Sequence, residues 1–390
     1  MFSFFIKYNI RSLLERKVTN IVTLLGISFV IAVYVTLTSL SNGIDSVFLI
    51  SGNDLQYLIV RQASLSELQS SVSREQAQII STHSSVQKDI DERPIISHEL
   101  VVILNTPKKD GGAANVTLRG VGEKGFLLRP KWNLVSGRLF IPGMQEIVVS
   151  RSIASRYKNM EVGDELSFGS FRWKVVGHFE AGSSAADSEI WTDNEGVMQI
   201  FERENYSSLL VRLKSKEEEK IFQQFLENDA RIVLEARDEI TYYKDQTKSA
   251  APIRLLTKIV GIIMGIGAIF GIMNTLFSAI SARTREIGTL RALGFSRPMI
   301  IFSFISESCL IAITGSLIGF ILGALLLKMS INGVTGTTNI STFSEVVFEF
   351  SLTVSLWLKS LCFGLFIGIM GSVIPAYKAA NIQLINALRS

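Results

Sequence analysis

Residues 18–40 read VTNIVTLLGISFVIAVYVTLTSL, 23 positions without one charged side chain. As an α-helix this stretch reaches about 35 Å, enough to cross a hydrocarbon core of about 30 Å. It is too long for the apolar core of a secretory signal peptide, and no clear small-residue cleavage site follows, so we expect an uncleaved anchor. Three more apolar runs lie downstream, Ile259 to Ile280, Ile300 to Leu327 and Leu352 to Tyr377. Lys359 interrupts the last of them two turns from its end, where an ammonium group can snorkel to the interface.

Charge separates the spans from what lies between them. The stretch from residue 42 to 253 holds 30 of the 35 acidic residues but 25 of the 39 Lys and Arg, which leaves it at −5 against +9 for the remainder. The overall +4 and 47% hydrophobic content are therefore averages over unlike parts. This distribution argues against a nucleic-acid binder with one basic face and fits a membrane protein. Lys7, Arg11, Arg16 and Lys17 precede the first span, Arg283, Arg285, Arg291 and Arg297 separate the second from the third, and Lys378 and Arg389 follow the fourth. The positive-inside rule makes those three segments cytoplasmic and puts the acidic middle outside. The connection from Met329 to Ser351 has no Lys or Arg and carries Glu345 and Glu349, as an external loop should.

The expected fold is an α-helical membrane protein with four transmembrane helices and a large α+β extracytoplasmic domain inserted between the first and second. In order, the parts are a cytoplasmic amphipathic elbow helix (1–17), a first span (18–41), the outer domain (42–253, with room for two subdomains) and a second span (254–280). A cytoplasmic loop (281–299), a third span (300–328), a short external loop (329–351), a fourth span (352–377) and a cytoplasmic tail (378–390) follow. The elbow rests on Phe2, Phe5, Ile6, Ile10, Leu13 and Leu14 sharing one helical face; a plain basic flank of the anchor is the alternative.

Within the middle segment, Leu55 to Val60, Ile95 to Leu104, Val116 to Val121, Glu146 to Ser150 and Phe171 to Val176 read as strands. Arg74 to Ser81 reads as a helix opened by Ser73. Ser207 to Leu213, a charged helix from Lys216 to Glu227 and Arg231 to Glu235 form a β-α-β unit. The two cysteines, Cys309 and Cys362, sit in apolar runs, so the segment has no disulfide framework or cysteine metal site. His83, His98 and His178 are scattered; His98-Glu99 begins a zincin-like motif that Val102 fails to complete. No Gly-x-x-x-x-Gly-Lys-Ser/Thr occurs anywhere in the chain, so no P-loop cradles a nucleotide here.

The loop SARTREIGTLRALGFSRP (residues 281–298) repeats Ile287, Leu290 and Leu293 every third position, offers Arg285, Glu286 and Arg291, and places Gly294 to end a helix. So short an amphipathic helix buries its face either on lipid headgroups or in a groove on a soluble protein. In the third span Gly315, Gly319 and Gly323 stand four apart, the spacing that lets two helix backbones approach closely. Glu307 lies about 10 Å along that span. A carboxylate there is costly, and serves either as a proton site or as a structural clamp on Arg283 or Arg297, or on Ser303 and Ser306. Pro375 is placed to end or kink the fourth span.

The run from Asn274 to Gly323, with Thr284-Arg285-Glu286-Ile287-Gly288 and Leu290-Arg291-Ala292-Leu293-Gly294, resembles the C-terminal permease module of the MacB/FtsX-type (type VII) ABC transporters. The N-terminal anchor, an outer domain with Gly137-Arg138, Glu146-Ile147-Val148-Val149-Ser150, Val162-Gly163-Asp164 and Val175-Val176-Gly177, and the terminal Pro375-Ala376 with Ala387-Leu388-Arg389 match that family's layout. Leu384 departs from a position where the family usually has proline, and Asn381 from one where arginine is common.

The resemblance implies a bacterial cytoplasmic (inner) membrane permease, multi-pass with both termini cytoplasmic, and without a catalytic site of its own. The loop would be the coupling helix, resting on a dimer of ATP-binding subunits through Arg285, Glu286 and Arg291, with Ile287, Leu290 and Leu293 as the buried ridge. No cofactor would be bound by this chain; ATP and Mg belong on the partner ATPase. A second permease copy, identical or paralogous, is implied, and the family also uses a periplasmic adaptor, an acceptor or a hydrolase. The activity implied is mechanotransmission that exports or extracts lipids, lipoproteins, peptides or small toxic molecules, since the outer domain resembles the macrolide-exporter and lipoprotein-releasing branches. Competing readings are force transmission to a cell-wall hydrolase and an ATP-independent receptor or scaffold.

Overall fold

A computed structural model describes residues 17–129, 131–168, 171–247, 251–329, 334–338, 344–350 and 352–382. Residues 1–16 of the expected elbow (1–17) and the tail position Leu384 lie outside the described residues. The chain divides into a helical unit (1–42, 252–333 and 350–390) and an α/β unit (43–251 and 334–349).

Helix α1 (Lys17–Ser51) precedes β1 (Gln56–Arg61), α2 (Arg74–Ser81), β2 (Ile96–Pro107), β3 (Ala113–Val121), α3 (Gly125–Leu128), β4 (Asn133–Gly137), β5 (Glu146–Ser150) and α4 (Arg151–Arg156). Next come β6 (Glu165–Phe168), β7 (Phe171–Glu180), β8 (Glu189–Asp193), α5 (Asn194–Ile200), β9 (Ser208–Arg212), α6 (Glu218–Asn228), β10 (Leu234–Asp238) and α7 (Glu239–Gln246). The chain continues with α8 (Ala251–Ala282), α9 (Thr284–Ala292), α10 (Arg297–Met329), the hairpin β11 (Val334–Thr338) and β12 (Glu345–Glu349), and α11 (Val354–Ala380).

In the α/β unit the strands run in the order β10-β1-β9-β2-β3-β8-β5-β7-β4, with β6 on β7. Strand β2 serves two neighbours in succession: Ile96 to Glu99 pair with β9, and Leu100 to Pro107 pair with β3. Strands β9 and β10 both run antiparallel to β1, which lies between them, so they are parallel to each other and α6 makes the crossover. Phe222 and Leu226, one turn apart on α6, are buried in the same core as Ile59 and Val211. Ser73 opens α2 through a capping box with Gln76, each side chain accepting from the other's backbone N–H at 3.1 Å. All five residues of β4, at the sheet edge, are exposed, so the strand has no buried face to give its sequence an alternating pattern.

The segment expected as a short external loop turns out to complete the α/β core. Val347 of β12 is 3% exposed among the core residues, and its N–H donates to Ser188 Oγ at 2.8 Å. Glu345, 4% exposed, receives Lys108 Nζ at 2.9 Å, Arg156 Nη2 at 2.5 Å and the Tyr157 hydroxyl.

In the helical unit, α1, α8, α10 and α11 are each long and apolar enough to cross a membrane. The glycine stripe of α10 faces α1. A Cβ on Gly319 would stand 2.5 Å from the Ser28 carbonyl oxygen; one on Gly315 would meet Ile27, and one on Gly323 the Ala32 carbonyl and Val35. Ser28 Oγ, held in this contact, donates to the Gly315 carbonyl at 3.0 Å. On α11, Gly364 and Gly368 give the same clearance to Ser316 and Ala312 of α10, and Gly371 to Ile272 of α8. Pro375 does not end its helix, which continues to Ala380.

Candidate functional site

The sequence between α8 and α10 folds as the short helix α9, closed at its C-terminal end by its own residues. Gly294 adopts φ +97°, which frees its N–H to reach the Arg291 carbonyl at 3.2 Å and lets Phe295 N–H reach the Leu290 carbonyl at 3.2 Å. This pair of bonds is a Schellman stop, and Leu290 and Phe295 provide its apolar contact by packing on the same core.

Two arginines tie α9 to the long helices. Arg283, at its start, is 7% exposed, with Nη1 3.8 Å from Glu307 Oε2 of α10 and Nε 3.8 Å from Glu286. Arg291, near its end, donates to the Ala380 carbonyl at the close of α11. Of the two arginines considered for Glu307, Arg283 is the one beside it; Arg297 is exposed. Ser306 Oγ is bonded at 2.8 Å to the Ser303 carbonyl.

The apolar ridge divides. Ile287 is 3% exposed in the helical unit's own core and Leu290 packs against it, whereas Leu293 is 73% exposed. Arg285, Glu286 and Thr289 are exposed as well. What α9 presents is therefore a mixed face with one cation, one anion and one large aliphatic side chain, while Ile287 and Arg291 are committed within the chain.

The α/β unit holds a second cluster, one that sequence spacing gives no means of finding. The Arg119 guanidinium, on β3, binds Glu67 at 2.8 Å, Glu99 at 2.6 Å and Glu189 at 2.8 Å, all of them buried. Arg129 forks both oxygens of Glu99 at 2.7 and 2.8 Å, and Ser208 Oγ donates to Glu67 at 2.6 Å. Burial alone would raise the Glu99 pKa, but Arg129 and Arg119 outweigh it and hold it at about 2. Close by in the chain fold, Glu239 accepts from Asn53 N–H at 3.1 Å, and burial pushes its pKa up to about 7 against the pull of Arg129. With each carboxylate of the Arg119 cluster in a fixed fork, the arrangement cross-links β2, β3 and β8 rather than presenting a free acid or base.

Among the described residues no group of three or more His, Cys, Asp or Glu is placed to hold a metal ion. His83 stacks on Phe225, His98 lies against Tyr206, and His178 Nε2 is 2.7 Å from the Met160 carbonyl.

Comparison with known proteins gives two family models. That for the MacB-like periplasmic core domain matches residues 21–228, and that for the FtsX-like permease C-terminal region matches residues 258–384. The macrolide export ATP-binding/permease protein MacB of Neisseria meningitidis serogroup A is 24% identical over 415 residues, covering 98% of this chain and 60% of the relative. The chain thus spans 60% of the length of that relative. An uncharacterized ABC transporter permease of Bacillus subtilis, YvrN, is 30% identical over 121 residues, covering 30% of this chain and 26% of YvrN. Among solved structures, the periplasmic region of MacB from Actinobacillus actinomycetemcomitans aligns with a TM-score of 0.38 at 16% identity, covering 49% of this chain and 92% of that one.

Proposed function

The chain belongs to the MacB-like ABC transporter permease family, and from that premise we propose that it is a membrane subunit driven by an ATPase dimer on other subunits. ATP and Mg are bound there and not on this chain. The α/β unit lies outside the cytoplasmic membrane, both termini lie inside, and the working assembly holds two permease copies, identical or paralogous. Hydrolysis changes the conformation of the α/β unit, which exports or extracts lipids, lipoproteins, peptides or small toxic molecules.

The observation that carries this reading is the anchoring of α9. Arg283 engages Glu307 of α10 and Arg291 engages the end of α11, so a push on α9 is delivered to two spans at once. The exposed residues that α9 offers to an ATPase groove are Arg285, Leu293 and Glu286, the last also 3.8 Å from Arg283. Substituting these three with alanine leaves Ile287 and Leu290 in the core, and takes from the buried Arg283 only the Glu286 carboxylate at 3.8 Å, its contact with Glu307 remaining. We expect the triple variant to fold, to retain its ATPase at least about tenfold more weakly on purification, and to lose permease-dependent ATP hydrolysis. Unchanged co-purification and hydrolysis, or the absence of any P-loop subunit with the wild-type chain in native membranes, would overturn the reading.

A further inference from the structure

We propose that the Glu239 carboxyl is a pH-operated clasp between the outer end of α1 and the start of α7, closed while the group is protonated and released when it ionises. Its place in the chain gives the clasp its effect. Helix α1 brings the chain into the α/β unit, and α7 is the last element before α8.

Four contacts, all within the α/β unit, fix the end of α1. Lys131 Nζ donates to the Ile50 carbonyl at 2.9 Å, and Ala185 N–H donates to Ser51 Oγ at 2.8 Å. Gly52 runs so close to α7 that a Cβ on it would stand 2.5 Å from the Ile240 Cα. Asn53 then donates its N–H to Glu239 Oε2 at 3.1 Å. Of the four, the last alone runs through a carboxyl.

That carboxyl is enclosed. Glu239 is 5% exposed and lines a cavity of about 30 Å³ with Asn53, Arg129, Lys131, Trp132 and Tyr243. Such a space admits about two waters, too few to hydrate a carboxylate in place. The charged and titratable groups facing it are Arg129 and Lys131, which follow α3, Tyr243 of α7, and Glu99 of β2. Arg129 already forks both oxygens of Glu99, and Lys131 is bonded to the Ile50 carbonyl, so neither gives Glu239 a fork of its own. Burial therefore outweighs the pull of Arg129 and lifts the Glu239 pKa from its ordinary 4.5 to about 7. As pH rises from 4.5 through about 7, the closed arrangement loses ground to any state in which the carboxylate reaches water. The clasp rests on the reading above in one respect, since it is the external placement of the α/β unit that makes external pH the signal.

Hydrogen exchange on the full chain in detergent, where both faces meet one buffer, tests the clasp whichever side the unit occupies, so its failure would leave the ATPase-driven reading untouched. Amides of residues 47–53 and 239–246 are followed in the wild type and in Glu239→Gln at pH 5 and pH 8, the variant cancelling the intrinsic effect of pH on exchange. The ratio of wild-type to variant rates should rise about tenfold or more between the two pH values, with these amides exchanging ahead of those in β1 and β9. Glu239→Ala, which offers Asn53 no acceptor, should exchange fast at both. A ratio that does not change with pH would refute the pH dependence. Exchange of both segments only at the rate of β1 and β9 would make Glu239 a contributor to global stability alone and overturn the clasp.

Discussion

Glu239 and Glu99 are both buried in the α/β unit, yet burial decides the ionisation of one and arginine that of the other. Glu239 has a folded pKa of about 7 against a reference of 4.5, so its contribution to stability is fully present below pH 4.5 and is lost as pH rises through about 7. Glu99, held at about 2, works in reverse: its contribution is present above pH 4.5 and is lost as pH falls through about 2. We therefore expect Glu239→Gln, which keeps an acceptor for the Asn53 N–H, to stabilise the full chain at pH 8 by roughly 3 kcal/mol and to flatten the stability profile between pH 4.5 and 7. Denaturant unfolding across that range measures it, and an unchanged slope would show that Glu239 is ionised at neutral pH at little cost. None of this could be read from the sequence beyond a bare His98-Glu99 pair. The partners of Arg119 lie 20, 52 and 70 residues away, so no local spacing links them.

At the scale of elements, helical faces were legible and their partners were not. Gly315, Gly319 and Gly323 declare a close approach by spacing alone, but the surface they meet on α1 is partly backbone, the Ser28 and Ala32 carbonyls, which leaves no side-chain pattern to find. Gly319→Ala should cost about 1–3 kcal/mol through overpacking against that carbonyl, whereas Gly267→Ala, with nothing within 4 Å, should be neutral or mildly stabilising. Thermal unfolding in detergent separates the two, and equal tolerance would contradict the α1–α10 contact. The α9 ridge was legible in part. Positions three apart drift by roughly 60° per step on a helix with 3.6 residues per turn, so Leu293 lies about 120° round from Ile287. That geometry, together with Gly294 unwinding the chain after Leu293, explains why one leucine faces out while the isoleucine faces in.

For the molecule as a whole, hydropathy and charge were enough to mark out the spans and the acidic middle, while the role of the segment between α10 and α11 was hidden. Its lack of Lys and Arg served only to orient it; the contact of Glu345 with Arg156 spans 189 residues. Glu345→Gln should destabilise the α/β unit by about 3 kcal/mol, because Lys108 and Arg156 lose their buried counter-charge. Limited proteolysis within residues 43–251 of the full chain gives the readout, with faster cleavage expected in the variant. Equal protection would mean that the hairpin only rests on the unit.

Strand β12 also sets an order of synthesis. A core begun at Tyr57 receives Val347 only after α8, α9 and α10 have been translated. Until then the nascent α/β segment carries an open place in its core and two cations awaiting Glu345. Its folding therefore finishes only once the third span has left the ribosome, which makes maturation of that unit a late event in the biogenesis of the chain.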